Sequence, residues 1–331
     1  MRRRSRLVAL VLLVVAATAA GGASAASASP LGFSLTPVGF SSYFTFDARP
    51  GQALTGSLGV VNETHTTKTI VLAPVDVSTA ATGGLQYGEG AAKHDGRWLA
   101  LATRRVKLSG GASATVRFTV RIPGGTAPGE HFIGISAVDS RALSSAPVGG
   151  RAVRLRLIPR LAMTVRLRLP GRRRTRLTAG RASISVTPSG ASLVVGMSNQ
   201  GNSLIAATPG TITVLQGAEP LFGQTVELAA FVPGTAISYH VPWEGTPVQG
   251  TYLVRGVLRP AGAPVVRFER TVTFGRAAIH RFRKQTGRAA RESSSTPLAL
   301  VVGLAVALVA AALLGIAFLR TRSQLRERVG R

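Results

Sequence analysis

Apolar and polar residues alternate along several segments of this chain, and this period of two is the sequence feature that most constrains its fold. The segment 115–122 reads Thr-Val-Arg-Phe-Thr-Val-Arg-Ile, which places Val116, Phe118, Val120 and Ile122 on one face of a strand. Such alternation is typical of strands with one buried and one solvent-exposed face. It predicts an all-β fold.

The longest alternating segment, Val153–Leu169, places arginines between aliphatic residues. Its aliphatic side chains would point inward and Arg154, Arg156, Arg166 and Arg168 would point to solvent. Short runs of this kind, bounded by Gly, Pro and Ser, recur about every ten residues, which is the spacing of a β-sandwich. Between its two ends the chain has no segment with a convincing helical period.

Two parts of the chain resemble each other, which indicates an internal repeat. The segments Leu58–Asn62 and Leu193–Asn199 each run into a turn that contains asparagine. Each turn is followed by a second strand, Thr69–Leu72 in one copy and Thr211–Leu215 in the other. The repeat predicts two tandem immunoglobulin-like β-sandwiches.

A second pair of segments supports the same repeat. One strand ends at Pro123 and another at Pro242, and each is followed by a turn rich in Gly and Pro. Proline fits the end of a strand because it donates no ladder hydrogen bond. The strands that follow, Phe132–Val138 and Tyr252–Leu258, are expected to return as hairpin partners.

The junction between the sandwiches is expected at 170–174, Pro-Gly-Arg-Arg-Arg, because Pro and Gly end a strand and arginines favour solvent. The first sandwich would span residues 29–170 and the second 171–276. A basic, then Ser-rich stalk would follow at 277–296.

Met1–Ala28 has the organisation of a secretory signal peptide: four arginines, a short apolar run and a small-x-small ending, Ala26-Ser27-Ala28. The alternative is an uncleaved N-terminal anchor, which the shortness of the apolar run disfavours. At the other end, Pro297–Leu319 has no charged residue and is about 34 Å long as a helix, long enough to span a bilayer.

These two ends predict a single-pass cell-membrane protein with an extracellular body and a basic cytoplasmic tail at 320–331. The orientation follows from the signal peptide, because basic residues lie on both sides of the predicted transmembrane helix. The chain has no cysteine, which fits the exterior of a bacterium better than that of a eukaryotic cell.

The formal net charge is +27. A basic exported protein could bind anionic wall polymers or lipid headgroups. The alternative is codon bias of a GC-rich genome, since arginine, alanine and glycine are all abundant. Nucleic acid is not expected as a partner, because aromatic residues are sparse and are not interleaved with the arginines.

Several short motifs resemble one known family. They are Phe33–Pro37 at the start, Arg49–Gln52, Trp98 followed by 106–111, and the turn from Pro123 to Gly129. Their order is similar to that of the peptidoglycan-binding domain of the WxL-interacting protein family of Gram-positive bacteria, here of an actinobacterial type. The resemblance implies a cell-surface role, with the first domain binding peptidoglycan and the second engaging another protein.

No catalytic constellation is found in the sequence, so the chain is not expected to be an enzyme. No histidine has metal-ligand spacing to another, no cysteine is present, and Gly-x-Ser-x-Gly is absent. No cofactor or metal is predicted.

The candidate ligand-binding residues lie in and beside the Gly-rich segment 88–96. Tyr87 and Trp98 flank it, and His94, Asp95 and Arg97 could hydrogen-bond a glycan whose sugar faces stack on the rings. The alternative for Trp98 is a place in the sandwich core.

The leading hypothesis is therefore a non-catalytic, membrane-anchored surface protein that binds peptidoglycan or another wall polymer, and also a surface-protein partner. The alternative is a scaffold or assembly factor for exported proteins that binds partner strands on an exposed sheet edge and does not bind the wall.

Overall fold

The computed structural model of the protein describes residues 31–144 and 158–286. The first ten strands are β1 (Phe33–Pro37), β2 (Phe44–Asp47), β3 (Ala53–Asn62), β4 (Lys68–Thr79), β5 (Leu85–Tyr87), β6 (Leu99–Leu101), β7 (Arg105–Leu108), β8 (Ser113–Arg121), β9 (Gly129–Asp139) and β10 (Leu161–Leu169). A 3₁₀ turn lies at Asp95–Trp98 and a short helix, α1, at Ser140–Ser144.

The remaining elements follow β10 along the chain. They are β11 (Leu177–Thr187), β12 (Gly190–Asn199), β13 (Thr208–Gln216), β14 (Glu219–Leu228), β15 (Ala236–Pro242), β16 (Gly250–Leu258), β17 (Val266–Phe274) and the helix α2 (Arg276–Thr286).

The strands up to β10 form the two sheets of the first sandwich. One sheet has the order β1-β3-β8-β6 and the other β2-β10-β9-β4-β5, with β7 also paired to β4. The consecutive strands β1 and β2 lie in different sheets, and so do β6 and β7. A segment of chain therefore crosses from sheet to sheet at both open sides of this sandwich.

The second sandwich consists of the sheets β11-β12-β15 and β14-β13-β16-β17. At one of its open sides, an arginine side chain links the two sheets. Arg270 on β17 donates hydrogen bonds to the carbonyl oxygens of Gly180 (2.8 Å) and Ala179 (2.9 Å), which lie where β11 bulges out of register with β12. The bulge leaves these carbonyls available to the guanidinium.

The alternating segments face the core as predicted. Val116, Phe118, Val120 and Ile122 are each at most 3% exposed. The inward residues of β10 are buried among the apolar residues of the first sandwich. A separate apolar core fills the second sandwich. The prediction of an all-β protein with two tandem β-sandwiches is confirmed.

The asparagine turns of the repeat are equivalent in detail. The buried Asn62 ends β3 and donates from its amide nitrogen to the carbonyl of Thr66, four residues on, while its Oδ1 accepts from the N–H of Thr64. Asn199 ends β12 and makes the same two bonds, to the carbonyl of Ser203 and from the N–H of Gly201. One side chain thus satisfies the backbone of each turn.

The predicted hairpins after Pro123 and Pro242 are wrong, and they are wrong in the same way. Strand β8 pairs with β3 and β6, whereas β9 lies in the opposite sheet between β10 and β4. Likewise β15 pairs with β12, whereas β16 lies in the opposite sheet. Both connections cross between sheets that pack about 10 Å apart. The repeat is preserved, but as a sheet-to-sheet crossover.

A helix occupies the start of the predicted stalk. Ile279 and Phe282 of α2 are buried, and Ile279 belongs to the core of the second sandwich. The predicted signal peptide, Met1–Ala28, and the predicted transmembrane segment, Pro297–Leu319, lie outside the described residues. Within the described ranges no helix is long and apolar enough to cross a membrane.

Candidate functional site

Strand β10 is paired on both sides along only part of its length. It pairs with β9 over all nine residues, but with β2 only over Val165–Arg168. Among the described residues, no strand pairs with the other side of Leu161–Thr164. In an antiparallel ladder, alternate residues point their N–H and C=O groups away from the partner strand. This stretch, the free edge, therefore presents unpaired backbone donors and acceptors about 13 Å along the strand.

Exposed apolar side chains lie in the loop that leads into β2. Val38 is 51%, Phe40 36% and Tyr43 43% exposed. The Phe40 ring packs edge-on against Phe44 and Phe46, with ring centroids 5.2 and 5.3 Å away. We call Val38, Phe40 and Tyr43 the apolar patch.

The apolar patch adjoins the free edge. Tyr43 directly precedes Phe44, which pairs with Val165 of β10. Burial lowers the pKa of the Arg166 guanidinium, but Glu130 and, to a smaller extent, the Tyr43 hydroxyl raise it above its ordinary value. Exposed apolar surface and unpaired backbone therefore lie side by side.

Tyr87 covers the outer face of the same sheet. Its hydroxyl is 2.6 Å from the hydroxyl of Thr164. Its ring lies over Gly134, where a Cβ atom would come within 2.7 Å of Tyr87 Cδ1. The chain beyond Tyr87 is held to the residue before β10 by a bond from Arg160 Nη1 to the Gly88 carbonyl (3.1 Å). The structure thus places this predicted binding residue in the packing beside the free edge.

The 3₁₀ turn Asp95–Trp98 is held in place by the carboxylate of Asp76. Asp76 accepts hydrogen bonds from the backbone N–H groups of Lys93 (2.6 Å), His94 (3.0 Å) and Gly96 (3.0 Å). Burial raises the pKa of Asp76, but these donors outweigh it and leave the pKa below its ordinary value.

The structure places the other predicted binding residues in different surroundings. Trp98 is partly buried and packs against the first core, which was the alternative considered for it. Arg97 is exposed. His94 and Asp95 line a cavity, and Asp95 Oδ2 lies 2.8 Å from His131 Nδ1. A ligand-binding role for Tyr87, His94, Asp95, Arg97 and Trp98 stays a prediction.

The cavity lies between the two sandwiches and has a volume of about 510 Å³. We call it the junction cavity. Residues from both sandwiches line it, among them Asp76 and His131 from the first and Asn202 and Thr235 from the second. In the described part of the chain, no group of three or more His, Asp or Glu residues is placed to hold a metal ion.

A buried carboxylate holds the junction together. Glu130 has a side chain only 2% exposed, and its Oε1 accepts from Arg166 (2.5 Å) and Arg173 (2.6 Å). Its Oε2 accepts from the N–H of Leu204 in the second sandwich (2.7 Å), and its own N–H donates to the carbonyl of Asn202 (2.8 Å).

A pair of threonines makes a second set of bonds across the junction. The hydroxyls of Thr79 and Thr235 lie 2.6 Å apart, and Thr79 also accepts from the N–H of Val232 (2.8 Å). Sequence reasoning did not identify Glu130, Thr79 or Thr235, because their contacts with the other sandwich join residues more than seventy positions apart.

Known proteins are similar to this chain in structure but not in sequence. No model of a protein family and no curated protein sequence matches the chain. Among solved structures, the E. coli chaperone DraB is 12% identical, covering 71% of this chain and 98% of its own, with a TM-score of 0.33. The Pseudomonas aeruginosa CupB2 chaperone is 11% identical, covering 71% and 99%, with a TM-score of 0.31.

A chain of the Acinetobacter baumannii CsuC–CsuE chaperone–tip adhesion subunit pre-assembly complex is also similar. It is 10% identical, with 63% of this chain and 90% of that chain covered and a TM-score of 0.33.

These findings correct the resemblance to the WxL-interacting family. The similar structures described above are of chaperones, and no family model matches, so the identification of the first sandwich as a peptidoglycan-binding domain was wrong. The expected binding of peptidoglycan in the cell wall is therefore not supported. The short motifs that suggested them are strand ends and turns, which β-sandwiches of many families share.

The predicted location is corrected as well. The expectation of a single-pass protein of a Gram-positive cell membrane is not supported by the similar structures, which are of chaperones. The three structures described above are named as chaperones or as a complex of a chaperone.

Proposed function

We propose that this protein is a non-catalytic assembly factor that binds an extended segment of another exported protein as an added strand on the free edge Leu161–Thr164. In strand addition, main-chain hydrogen bonds supply affinity and pockets for alternate side chains supply specificity. The free edge offers main-chain hydrogen-bonding groups, and the adjoining apolar patch offers contacts for alternate side chains of the partner strand. The observation that carries the proposal is this juxtaposition on one side of β10.

Other unpaired edges of the protein are less suited to this role. In the first sandwich, the edge strands β1, β5 and β6 carry none of the exposed large apolar residues. In the second sandwich, β14 and β15 each pair on one side only among the described strands. Leu221 is the exposed large apolar residue that β14 carries, and it has no exposed aromatic neighbour there.

The residues of the free edge differ in how exposed they are. Leu161 and Ala162 are partly exposed, whereas Met163 and Thr164 are each only 6% exposed. Unpaired, flat edges promote aggregation unless they are blocked or used. A partner strand would satisfy the backbone groups and cover Phe40 and Tyr43 in one step.

Photocrosslinking in cells tests the proposal. A photoreactive residue placed at Val38 or Tyr43 is expected to crosslink to a defined protein. The same residue at Leu221, which is 46% exposed and therefore matched to Val38 and Tyr43 in accessibility, should not. Equal labelling at all three positions, or labelling of no protein at Val38 and Tyr43, would refute strand addition at this edge.

Affinity provides the second arm of the test. The double variant Val38→Ser, Tyr43→Ser should weaken binding of the crosslinked partner by about 2–3 kcal/mol, the range of central apolar and aromatic contacts in interfaces. Leu221→Ser is the control and should leave the affinity unchanged. Both variants change exposed side chains, so the midpoint of urea unfolding should change little.

A further inference from the structure

The junction cavity is lined by carboxylates, but none of them is free to hold a ligand. Asp76 is occupied by three backbone N–H groups and Asp95 by His131. Glu130 is occupied by two arginines and the N–H of Leu204. The cavity wall is therefore a structural network, and of the two histidines that line it, His131 bonds one of these carboxylates.

Both ring nitrogens of His131 face hydrogen-bond acceptors. Nδ1 lies 2.8 Å from Asp95 Oδ2, and Nε2 lies 3.0 Å from the carbonyl oxygen of Ala127. A neutral imidazole carries one N–H and can donate only one of these bonds. Both bonds exist together only when the ring is protonated on both nitrogens.

The surroundings of His131 favour that charged form. Its side chain is 17% exposed and its ring centroid is 5.2 Å from that of Trp98. Of the charged groups around the cavity, Asp95 from the 3₁₀ turn bonds it directly, Asp76 from β4 is engaged by backbone N–H groups, and His94 is exposed. On its own strand, Glu130 is neutralised by its two arginines. Burial lowers the pKa of His131, but Asp95 and Ala127 outweigh it and leave the pKa above its ordinary value.

The segment that His131 holds is the one that contacts the second sandwich. The carbonyl of Pro128 accepts from Asn202 Nδ2 (3.1 Å), and Glu130 bonds both Asn202 and Leu204. Through its two ring nitrogens, His131 contacts Ala127 at the start of this short segment and Asp95 in the 3₁₀ turn, and it thereby links the segment to that turn.

We infer that protonated His131 clamps the segment 127–131 and thereby makes the hold between the two sandwiches dependent on pH. The sandwiches are held firmly while both ring bonds exist, and the junction opens more often once the proton is lost. This inference does not depend on the proposed function, because it concerns contacts within one chain.

The direction of the pH dependence follows from linkage. A group whose pKa is raised by folding contributes stability that is fully present below its ordinary pKa, about 6.5 for histidine, and is lost as the pH rises through the folded-state pKa. The junction should therefore loosen as the pH rises above about 6.5 and through the raised pKa of His131.

Hydrogen exchange of the full-length protein, followed by mass spectrometry between pH 6 and 9, measures how the opening of the junction depends on pH. The protection of residues 200–206 is compared with that of residues 211–215 in the core of the second sandwich, after correction for the intrinsic pH dependence of exchange. The ratio is expected to fall about fivefold across the titration of His131, the factor that accompanies loss of one ordinary hydrogen bond. A ratio that stays constant in the unmodified protein would overturn the inference.

Three variants sharpen the test. His131→Gln should show a low ratio that no longer changes with pH. Asp95→Asn should move the transition to lower pH, and it decides the matter if His131→Gln does not fold. His240→Gln is the control, because His240 is exposed on β15 and bonds Ser192, away from the junction. A pH-dependent ratio that survives in His131→Gln would overturn the inference.

Discussion

Replacing Glu130 by glutamine isolates the charge that holds the junction. Glutamine has nearly the same shape, and its side-chain oxygen can still accept from the N–H of Leu204. The change removes the negative charge that faces Arg166 and Arg173 at 2.5 and 2.6 Å. Two guanidinium groups then remain beside a neutral amide in a site where the Glu130 side chain is 2% exposed.

The size of the effect follows from the burial of each partner. Breaking a fully buried ion pair costs about 3–5 kcal/mol because a charge is left buried and uncompensated. The side chains of Arg166 and Arg173 are 21% and 44% exposed, so water recovers part of that cost. We expect Glu130→Gln to lower the free energy of unfolding by about 2–3 kcal/mol.

Equilibrium unfolding in urea measures this loss, followed by the fluorescence of Trp98 and Trp243, which lie in different sandwiches. The matched control is Glu269→Gln. Glu269 also lies on a strand and pairs with an arginine, Arg255, but its side chain is 57% exposed and that of its partner 55%. An exposed pair contributes little, so the control should lose less than about 1 kcal/mol.

The comparison can refute the reasoning in a definite way. Equal losses in the two variants would mean that burial of Glu130 adds nothing to its ion pairs. A loss seen with Trp98 but not with Trp243 would mean that Glu130 stabilises the first sandwich alone and does not couple it to the second.

Two further predictions concern the packing beside the free edge and the Asp76 turn. Gly134→Ala should cost about 1–3 kcal/mol in urea unfolding, because a Cβ atom there would come within 2.7 Å of the Tyr87 ring and of Val75 Cγ2; Gly90→Ala, with nothing within 4 Å, should be neutral, and equal costs would contradict the packing argument. Folding lowers the pKa of Asp76, so its contribution to stability is present above pH 3.8 and is lost as the pH falls through the lower folded-state value. The acid side of the stability profile should therefore be flatter in Asp76→Asn, and an unchanged slope would refute this.

The sequence predicts well what depends on neighbouring residues. The alternation in β8 predicts which side chains face inward, and Val116, Phe118 and Val120 are buried as expected. The repeated asparagine turns were visible for the same reason, because Asn62 and Asn199 bond residues only two and four positions away.

Strand pairing could not be predicted in this way. A hairpin and a sheet-to-sheet crossover both need a strand that ends at proline and a Gly/Pro turn, so the residues after Pro123 fit either arrangement. The choice is made by distant partners. One clue was present: Phe132, Ile133 and Ile135 form an apolar run without alternation, which is typical of a strand covered on both faces. That is the position of β9 at the centre of its sheet.

The candidate site was harder to predict than the fold because it combines elements that are distant in sequence. The apolar patch has no periodicity, and its importance depends on the free edge of β10 more than a hundred residues later. Asp95 was grouped with its neighbour His94, but its actual partner is His131, 36 positions away. A short motif in a loop gives the residues that can interact, but not those that do.

The repeat also explains how the sandwiches are joined. Each sandwich has an asparagine turn at one end and a crossover at the other. In the first sandwich, the crossover 123–129 leads directly to Glu130 at the junction. In the second, the asparagine turn supplies Asn202 and Leu204, which bond this crossover and Glu130. The two copies therefore stand head to tail. In the corresponding turn of the first sandwich His65 and Thr66 are exposed among the described residues, so the same asparagine motif supports a contact between sandwiches in one copy and an exposed turn in the other.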